Sequence, residues 1–429
     1  MGISNTSVED LFLLTLKCNG IIIILYLNIG ERKMTVNERM YALGSKRSEI
    51  RELFEYGKKR IAEVGAENVF DFSIGNPSVA APDCVKDALA KLVLEGDPVA
   101  LHGYTSAQGD AAVRKACADY INETHGMSCS ADDFYMTCGA AASLTVSLGA
   151  LSTENGEVIV LAPYFPEYKV FITQAGMKCV EVMCSEEDFQ IDFAAFEAAL
   201  NENTKAVIIN SPNNPSGAVF SQETIEKLAV ILNAAQEKYG KDIFIIADEP
   251  YRELVYDNET VVPFIPKFYD NTLVCYSFSK SLSLPGERIG YILVPPAVKA
   301  HNEVYFAVCG AGRALGFVCA PALFQKIVPM CIGKTADLSV YKKNRDILCN
   351  ALTEYGYRVV KPDGAFYLFV KALEDDARAF CERAKAHDLL IVASDSFGFP
   401  GYVRISYCVS TEMIERSLPA FEALAKEYK

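Results

Sequence analysis

Ala206-Val207-Ile208-Ile209-Asn210 and Ile243-Phe244-Ile245-Ile246-Ala247-Asp248 are two short, almost wholly apolar runs, and each ends on a polar residue. Between them Ser221 opens a stretch in which Ile225, Leu228, Leu232, Ala235 and Tyr239 recur on one helical face, and Gly240 closes it. A serine oxygen accepts from a free N–H at a helix start, and glycine takes the left-handed conformation that ends one. Strands covered on both faces read as continuous apolar runs, so this stretch reads as strand, crossover helix, parallel strand. Residues 134–137, 158–161 and 273–276 repeat the strand signal on either side. The expected fold is therefore α/β, a mostly parallel sheet flanked by helices. Upstream, Ile50, Leu53, Phe54, Ile61 and Val64 share one helical face and predict an amphipathic helix. Beyond about Pro321 the pattern turns to helices plus the runs 365–370 and 403–408, which predicts a second, smaller domain.

Length and composition agree with this picture. A chain of 429 residues suits two domains, and 51% hydrophobic with 22% charged residues is globular composition. A formal charge of −14 leaves no basic face to displace counterions, so no nucleic acid partner is expected. Fourteen cysteines contain no Cys-x-x-Cys pair, and the closest two, Cys179 and Cys184, have no histidine nearby. Zinc and redox motifs are thus not expected. Scattered through apolar runs, the thiols read as small hydrophobes kept reduced in a cytoplasmic protein.

The first 33 residues stand apart. Ile21 to Leu27 is strongly apolar, yet Lys17, Asn19 and Gly20 break the wider run, which is too short to span a bilayer. Glu9 and Asp10 stand where a secretory signal carries positive charge, so neither a membrane nor an export role is expected. Gly30-Glu31-Arg32-Lys33, just before Met34, can be written in the purine-rich codons of a translated ribosome-binding site. Residues 1–33 are accordingly expected to be a non-native or disordered leader, with Met34 as the functional start.

The chemistry gathers where the strands end. Thr137-Cys138-Gly139, Pro163-Tyr164-Phe165, Asn210 to Asn214, Asp248 and Ser277-Phe278-Ser279-Lys280 all follow strand C-termini, the edge at which open α/β sheets bind ligands. A lysine just past a buried strand can lose enough solvation to attack an aldehyde. Lys280 alone would read as an ordinary loop lysine; its company argues otherwise. Asp248 follows a buried strand and needs a cationic partner, which a protonated pyridine nitrogen would be. Gly139-Ala140-Ala141-Ala142 places small residues and free N–H groups at a strand-to-helix junction, a setting for phosphate. Asn210-Ser211-Pro212-Asn213-Asn214-Pro215-Ser216-Gly217 fixes an irregular turn. Together these supply an amine nucleophile, a pyridinium partner, a phosphate cradle and hydrogen bonds to a ring oxygen.

With these motifs the sequence resembles the class I/II aminotransferases of pyridoxal-phosphate fold type I, over about residues 70–408. The resemblance implies a seven-stranded sheet in a large domain, residues 85–321, and a smaller α+β domain from residues 34–84 and 322–429. Pyridoxal 5′-phosphate is the implied cofactor, with Lys280 as Schiff-base lysine and proton carrier. Asp248 would pair with the ring nitrogen, and Tyr251 and Asn214 with the ring's phenolic oxygen. Arg288, Ser277, Ser279 and the backbone of Ala140 and Ala141 match the phosphate ligands, and Phe165 the stacking aromatic. Arg404 in Tyr402-Val403-Arg404-Ile405-Ser406 resembles the clamp on the substrate α-carboxylate, assisted by Asn214 and by the backbone at Gly75 in Ile74-Gly75-Asn76-Pro77. Gly103-Tyr104-Thr105 resembles the segment lent across a homodimer, Tyr104 reaching the neighbour's phosphate. Val392-Ala393-Ser394 and Cys319-Ala320-Pro321 depart from the family pattern, the latter removing an expected phosphate hydroxyl. Arg313 is expected to be structural, with recognition of a distal carboxylate as the alternative.

Two other activities compete with transamination. A carbon–sulfur β-lyase could use the same scaffold, because the pocket chooses which bond breaks. A cofactor-sensing transcription regulator would need a DNA-binding domain before the fold, for which residues 1–47 are too short. The sequence does not identify the amino donor. If Lys280 is the cofactor lysine, Lys280→Ala abolishes turnover and the visible cofactor absorbance. Borohydride reduction followed by peptide mapping checks this, and a label on another lysine would refute it.

Overall fold

The computed structural model describes residues 11–18, 21–28, 35–45, 49–257 and 259–429. By its contacts the chain divides into Met1–Glu52 and Leu53–Lys429. In the first unit, within the segment expected to be a leader, Leu11–Cys18 and Ile21–Asn28 pair as antiparallel strands. The helix predicted from residue 50 onward runs Glu49–Val64.

In the second unit seven strands form the main sheet: β1 Phe134–Thr137, β2 Glu157–Ala162, β3 Lys178–Met183, β4 Thr204–Asn210, β5 Phe244–Asp248, β6 Thr272–Ser277 and β7 Gly290–Leu293. Their order is β1-β7-β6-β5-β4-β2-β3. All neighbours from β3 to β6 are parallel, whereas β7 runs antiparallel to β6 and β1. Alternation along each strand feeds two cores. Val207, Ile209, Ile245 and Ala247 face one layer of helices, and Ala206, Ile208, Phe244 and Ile246 face the other. Burying each Val or Ile fully contributes roughly 1.5–3 kcal/mol relative to exposure.

Helix α1, Ala140–Leu151, follows β1, and α2, Gln222–Tyr239, links β4 to β5. Ser221 Oγ accepts from Thr224 N and Gly240 takes φ 64° as expected for its ends. Strands β3 and β7 escape the apolar-run reading. Edge strand β3 mixes Lys178 and Glu181 with partly exposed neighbours, and β7 is a buried run of only three apolar residues opened by Gly290.

The C-terminal region adds a three-stranded antiparallel sheet, β8 Tyr367–Lys371, β9 Val392–Ala393 and β10 Tyr402–Ser406, in the order β8-β10-β9. It packs with helices Leu338–Tyr355, Ala377–Ala386 and Thr411–Lys426 around a third core that includes Phe72, Leu352, Phe366, Phe380 and Phe421. Among the described residues no helix is long and apolar enough to cross a membrane.

Gly290 sits where β7 meets β6 and β1, opposite both Ser277 and Thr137. A methyl group there would lie 2.3 Å from the Tyr276 carbonyl oxygen and 3.1 Å from Gly139 Cα, both backbone atoms with little freedom. Gly290→Ala is expected to cost about 1–3 kcal/mol of stability, as overpacking does. Urea unfolding measures it; an unchanged midpoint would show that the strands can part without loss.

Candidate active site

Parallel register brings the polar strand ends side by side. Asn210 lies opposite Asp248, and Asp248 opposite Cys275; Ser277 and Thr137 both face Gly290. Neighbouring strands lie about 4.8 Å apart, so residues distant in sequence share one edge.

Asp248 is 5% exposed. Tyr168 donates its hydroxyl to Oδ2, while Oδ1 is buried without a partner. Burial pushes the carboxyl up to about 7, with the Tyr168 hydrogen bond pulling the other way. Next along the chain, Glu249 is occupied elsewhere, its Oε2 accepting from Arg252 Nε at 2.5 Å. Asn210 braces two strand ends at once. Its Nδ2 donates to the Asp248 carbonyl at 2.8 Å, and its Oδ1 accepts from Asn214 N at 2.7 Å, which fixes the irregular turn.

Asn214 Oδ1 in turn accepts from Arg404 Nη1 at 3.2 Å, and Arg404 Nη2 donates to the Ser73 carbonyl at 2.6 Å. Arg404 Nε is buried with no partner. The guanidinium lies 4.8 Å from the Tyr367 ring centroid and 5.1 Å from that of Phe397. Burial lowers its pKa from the ordinary value. Tyr251 is buried, its hydroxyl 2.9 Å from that of Tyr367.

Lys280 stands on the one-turn helix Phe278–Ser281 after β6, capped by Ser277 Oγ, which accepts from Ser279 N. Lys280 Nζ donates to the Gly75 carbonyl at 2.8 Å. Burial above all, with the nearby positive charges of Arg288 and Arg404 adding to it, lowers the amine to about 8. Arg288 reaches Ser279 Oγ at 3.4 Å and is held by the Pro285 carbonyl at 2.9 Å. A side chain on Gly139, the residue before α1 with φ 86°, would come within 2.8 Å of Arg288 Nη2. The arginine is thus seated over the start of α1, where the leading N–H groups, including those of Ala140 and Ala141, have no partner one turn back. Two positive ends facing one space form an anion cradle.

The structure therefore brings together Gly75, Asn214, Asp248, Tyr251, Lys280 and Arg404, with Ser277, Ser279, Arg288, Ala140 and Ala141 as the adjoining cradle. Phe165 is half-buried, its ring 5.7 Å from that of Tyr168. Tyr104 is 99% exposed and is not drawn into the cluster of its own chain. Arg313 is exposed too, beside Gln108, Tyr135 and Cys309. Cys319 Sγ donates to the Thr105 carbonyl at 3.3 Å. Sequence reading missed Tyr168, Tyr367 and Phe397. For Tyr367 the available signal was a lone polar tip within an apolar stretch, Ala365-Phe366-Tyr367-Leu368-Phe369.

The sequence profile of aminotransferase class I and II matches residues 67–421. The chain belongs to this family. An amino transferase of known structure from Eubacterium rectale is 62% identical, with a TM-score of 0.90 over 92% of this chain and 100% of that one. An aspartate aminotransferase from Thermotoga maritima is 30% identical over 83% of this chain and 91% of its own length. Aromatic-amino-acid aminotransferase 2 of Thermococcus litoralis is 29% identical over 89% and 96%. This chain is an aminotransferase of fold type I, and the lyase and regulator alternatives are not favoured.

Class I and II aminotransferases depend on pyridoxal 5′-phosphate, and the residues present fit that group. The unpartnered Asp248 Oδ1 suits a protonated ring nitrogen, the cradle of Arg288 and α1 suits a phosphate, and the Lys280 amine suits an aldehyde carbon. In the cofactor-free aminotransferase, acylation of Lys280 should rise with pH around a midpoint of about 8, because only the neutral amine reacts. Peptide mapping across pH measures it. A midpoint near the ordinary lysine value of about 10.4 would show that the amine is solvated.

Proposed function

We propose that this aminotransferase holds pyridoxal 5′-phosphate at the strand edge, covalently through Lys280, and moves an amino group from an L-amino acid to a 2-oxo acid in two half-reactions. The observation that carries this reading is the meeting at one strand edge of a buried acid with one open oxygen, Asp248, and a half-buried lysine whose amine is held by the Gly75 carbonyl, Lys280. When bound, the cofactor supplies an electron sink for the pair left as the substrate Cα–H bond breaks.

The protein's own groups do the rest. Asp248 Oδ1 holds the proton on the ring nitrogen, and Tyr168 on Oδ2 fixes which oxygen is presented. Tyr251 and Asn214 donate to the phenolic oxygen. Arg288, Ser277, Ser279 and the N–H groups of Ala140 and Ala141 anchor the phosphate, and Phe165 covers the ring face. Arg404 binds the substrate α-carboxylate, with Asn214 and the Gly75 backbone beside it, and so sets the Cα–H bond for removal. Lys280 Nζ, freed as the neutral amine, accepts the Cα proton and carries it onward. The net exchange leaves the donor as a 2-oxo acid and the acceptor as an amino acid.

The exposed Tyr104 fits donation to a second copy's phosphate, and the reading includes a homodimer with shared sites. Residues 85–321 would form the large domain and 34–84 with 322–429 the small one. The free cysteines suit a cytoplasmic setting.

The test is Arg404→Lys, assayed by transamination of a panel of amino acids against 2-oxoglutarate and pyruvate. A bidentate fork fixes the carboxylate plane and a point charge does not. With the best donor for the parent enzyme, KM should rise and kcat fall together, lowering kcat/KM about 100-fold, while the cofactor absorbance stays. Normal kinetics with loss of the cofactor would place the carboxylate clamp elsewhere. A parent enzyme that accepts no member of the panel would overturn the reading.

A further inference from the structure

Tyr367 opens β8 opposite Ser406 and is 3% exposed. No expectation from sequence gave it a role, yet it meets Tyr251, Arg404 and Gly75. Its hydroxyl is 2.9 Å from that of Tyr251, with the two rings edge to face at 83°. The Arg404 guanidinium lies over its ring at 4.8 Å. A methyl on Gly75 would fall 2.1 Å from its hydroxyl, so that oxygen rests against the Gly75 α-carbon, one bond from the carbonyl that Lys280 holds.

Two hydroxyls in contact share one hydrogen bond, and its direction matters. A phenol has one proton. If Tyr251 gave its proton to Tyr367, it would have none for the cofactor's ring oxygen. If Tyr367 donates to Tyr251, the Tyr251 proton is free to point at that oxygen, and a hydroxyl that accepts a bond becomes a stronger donor in the next. The ring serves a second purpose. A guanidinium stacked on an aromatic face is held in plane, and a carboxylate needs that plane for bidentate binding.

We propose that Tyr367 is a positioning residue that acts in two ways: its hydroxyl donates to Tyr251 and directs the Tyr251 proton to the cofactor's ring oxygen, and its ring face orients Arg404 for the α-carboxylate. This rests on the function proposed above. It joins the cofactor half of the site to the substrate half through one side chain.

Two substitutions separate the roles. Tyr367→Phe removes the oxygen and keeps the ring. The pH midpoint of the bound cofactor's visible absorbance should move up by about half a unit, because a weakened donor leaves the ring oxygen more able to hold the neighbouring imine proton. KM should stay within about twofold. Tyr367→Leu removes the ring as well and should in addition raise KM about tenfold, with a smaller change in kcat. Tyr251→Phe is the reference and should shift the midpoint further than Tyr367→Phe does. A Tyr367→Phe enzyme that titrates at the parent midpoint while Tyr251→Phe is displaced would overturn the hydroxyl role. An unchanged KM in Tyr367→Leu would overturn the ring role. If Tyr251→Phe also titrates as the parent, Tyr251 does not meet the ring oxygen, and the site reading fails along with the inference built on it.

Discussion

The structure turns on a carboxylate kept out of water. A buried acid is costly unless something meets both its oxygens. In this chain Asp248 is given one partner, the Tyr168 hydroxyl, and the other oxygen is left open. That arrangement needs a sheet edge held very still. Asn210 provides it by tying the end of β5 to the turn that presents Asn214, and Asn214 passes the connection to Arg404 on β10. The acid, the turn and the arginine come from three separate stretches of chain. Moving any one of them changes what the open oxygen faces.

Most of the fold is legible in the sequence, because strands covered on both sides leave little choice of residue. The five apolar runs became β1, β2, β4, β5 and β6 with ends shifted by a residue or two. The crossover helix kept the cap and the terminating glycine assigned to it. In the main sheet the two strands that went unread were β3, whose charged residues lie at the exposed edge, and β7, a buried run of three apolar residues opened by Gly290. For the candidate site, the sequence pointed to residues of unusual type at or just past a strand end, Lys280, Asp248 and Asn214, and to Arg404 within the run 403–408. It did not reveal Tyr168 or Tyr367. A tyrosine is as ordinary in a core as phenylalanine, and only the direction of its hydroxyl distinguishes a structural ring from one that steers a neighbour. For Tyr367 that direction depends on how β8 lies against Gly75, and for Tyr168 on the end of β5, neither of which a local pattern encodes.

Charge placement follows the same economy. Three basic groups, Lys280, Arg288 and Arg404, approach one edge, in a chain whose formal charge is −14. Each is given an oxygen to lean on: the carbonyls of Gly75, Pro285 and Ser73. Like charges so gathered would otherwise repel one another, and the Lys280 amine is lowered by burial first and by this crowding second.

The carbonyls of Ser73 and Gly75 have a consequence of their own. They lie two residues apart on one short segment, and each holds a different cation. A ligand that claims Lys280 releases one tether, and an anion that claims Arg404 releases the other. Both ligands therefore draw on a single reservoir of restraint, and the second meets a segment that the first has already loosened. Equilibrium linkage makes such a relation mutual: whatever the first arrival does for the second, the second does equally for the first.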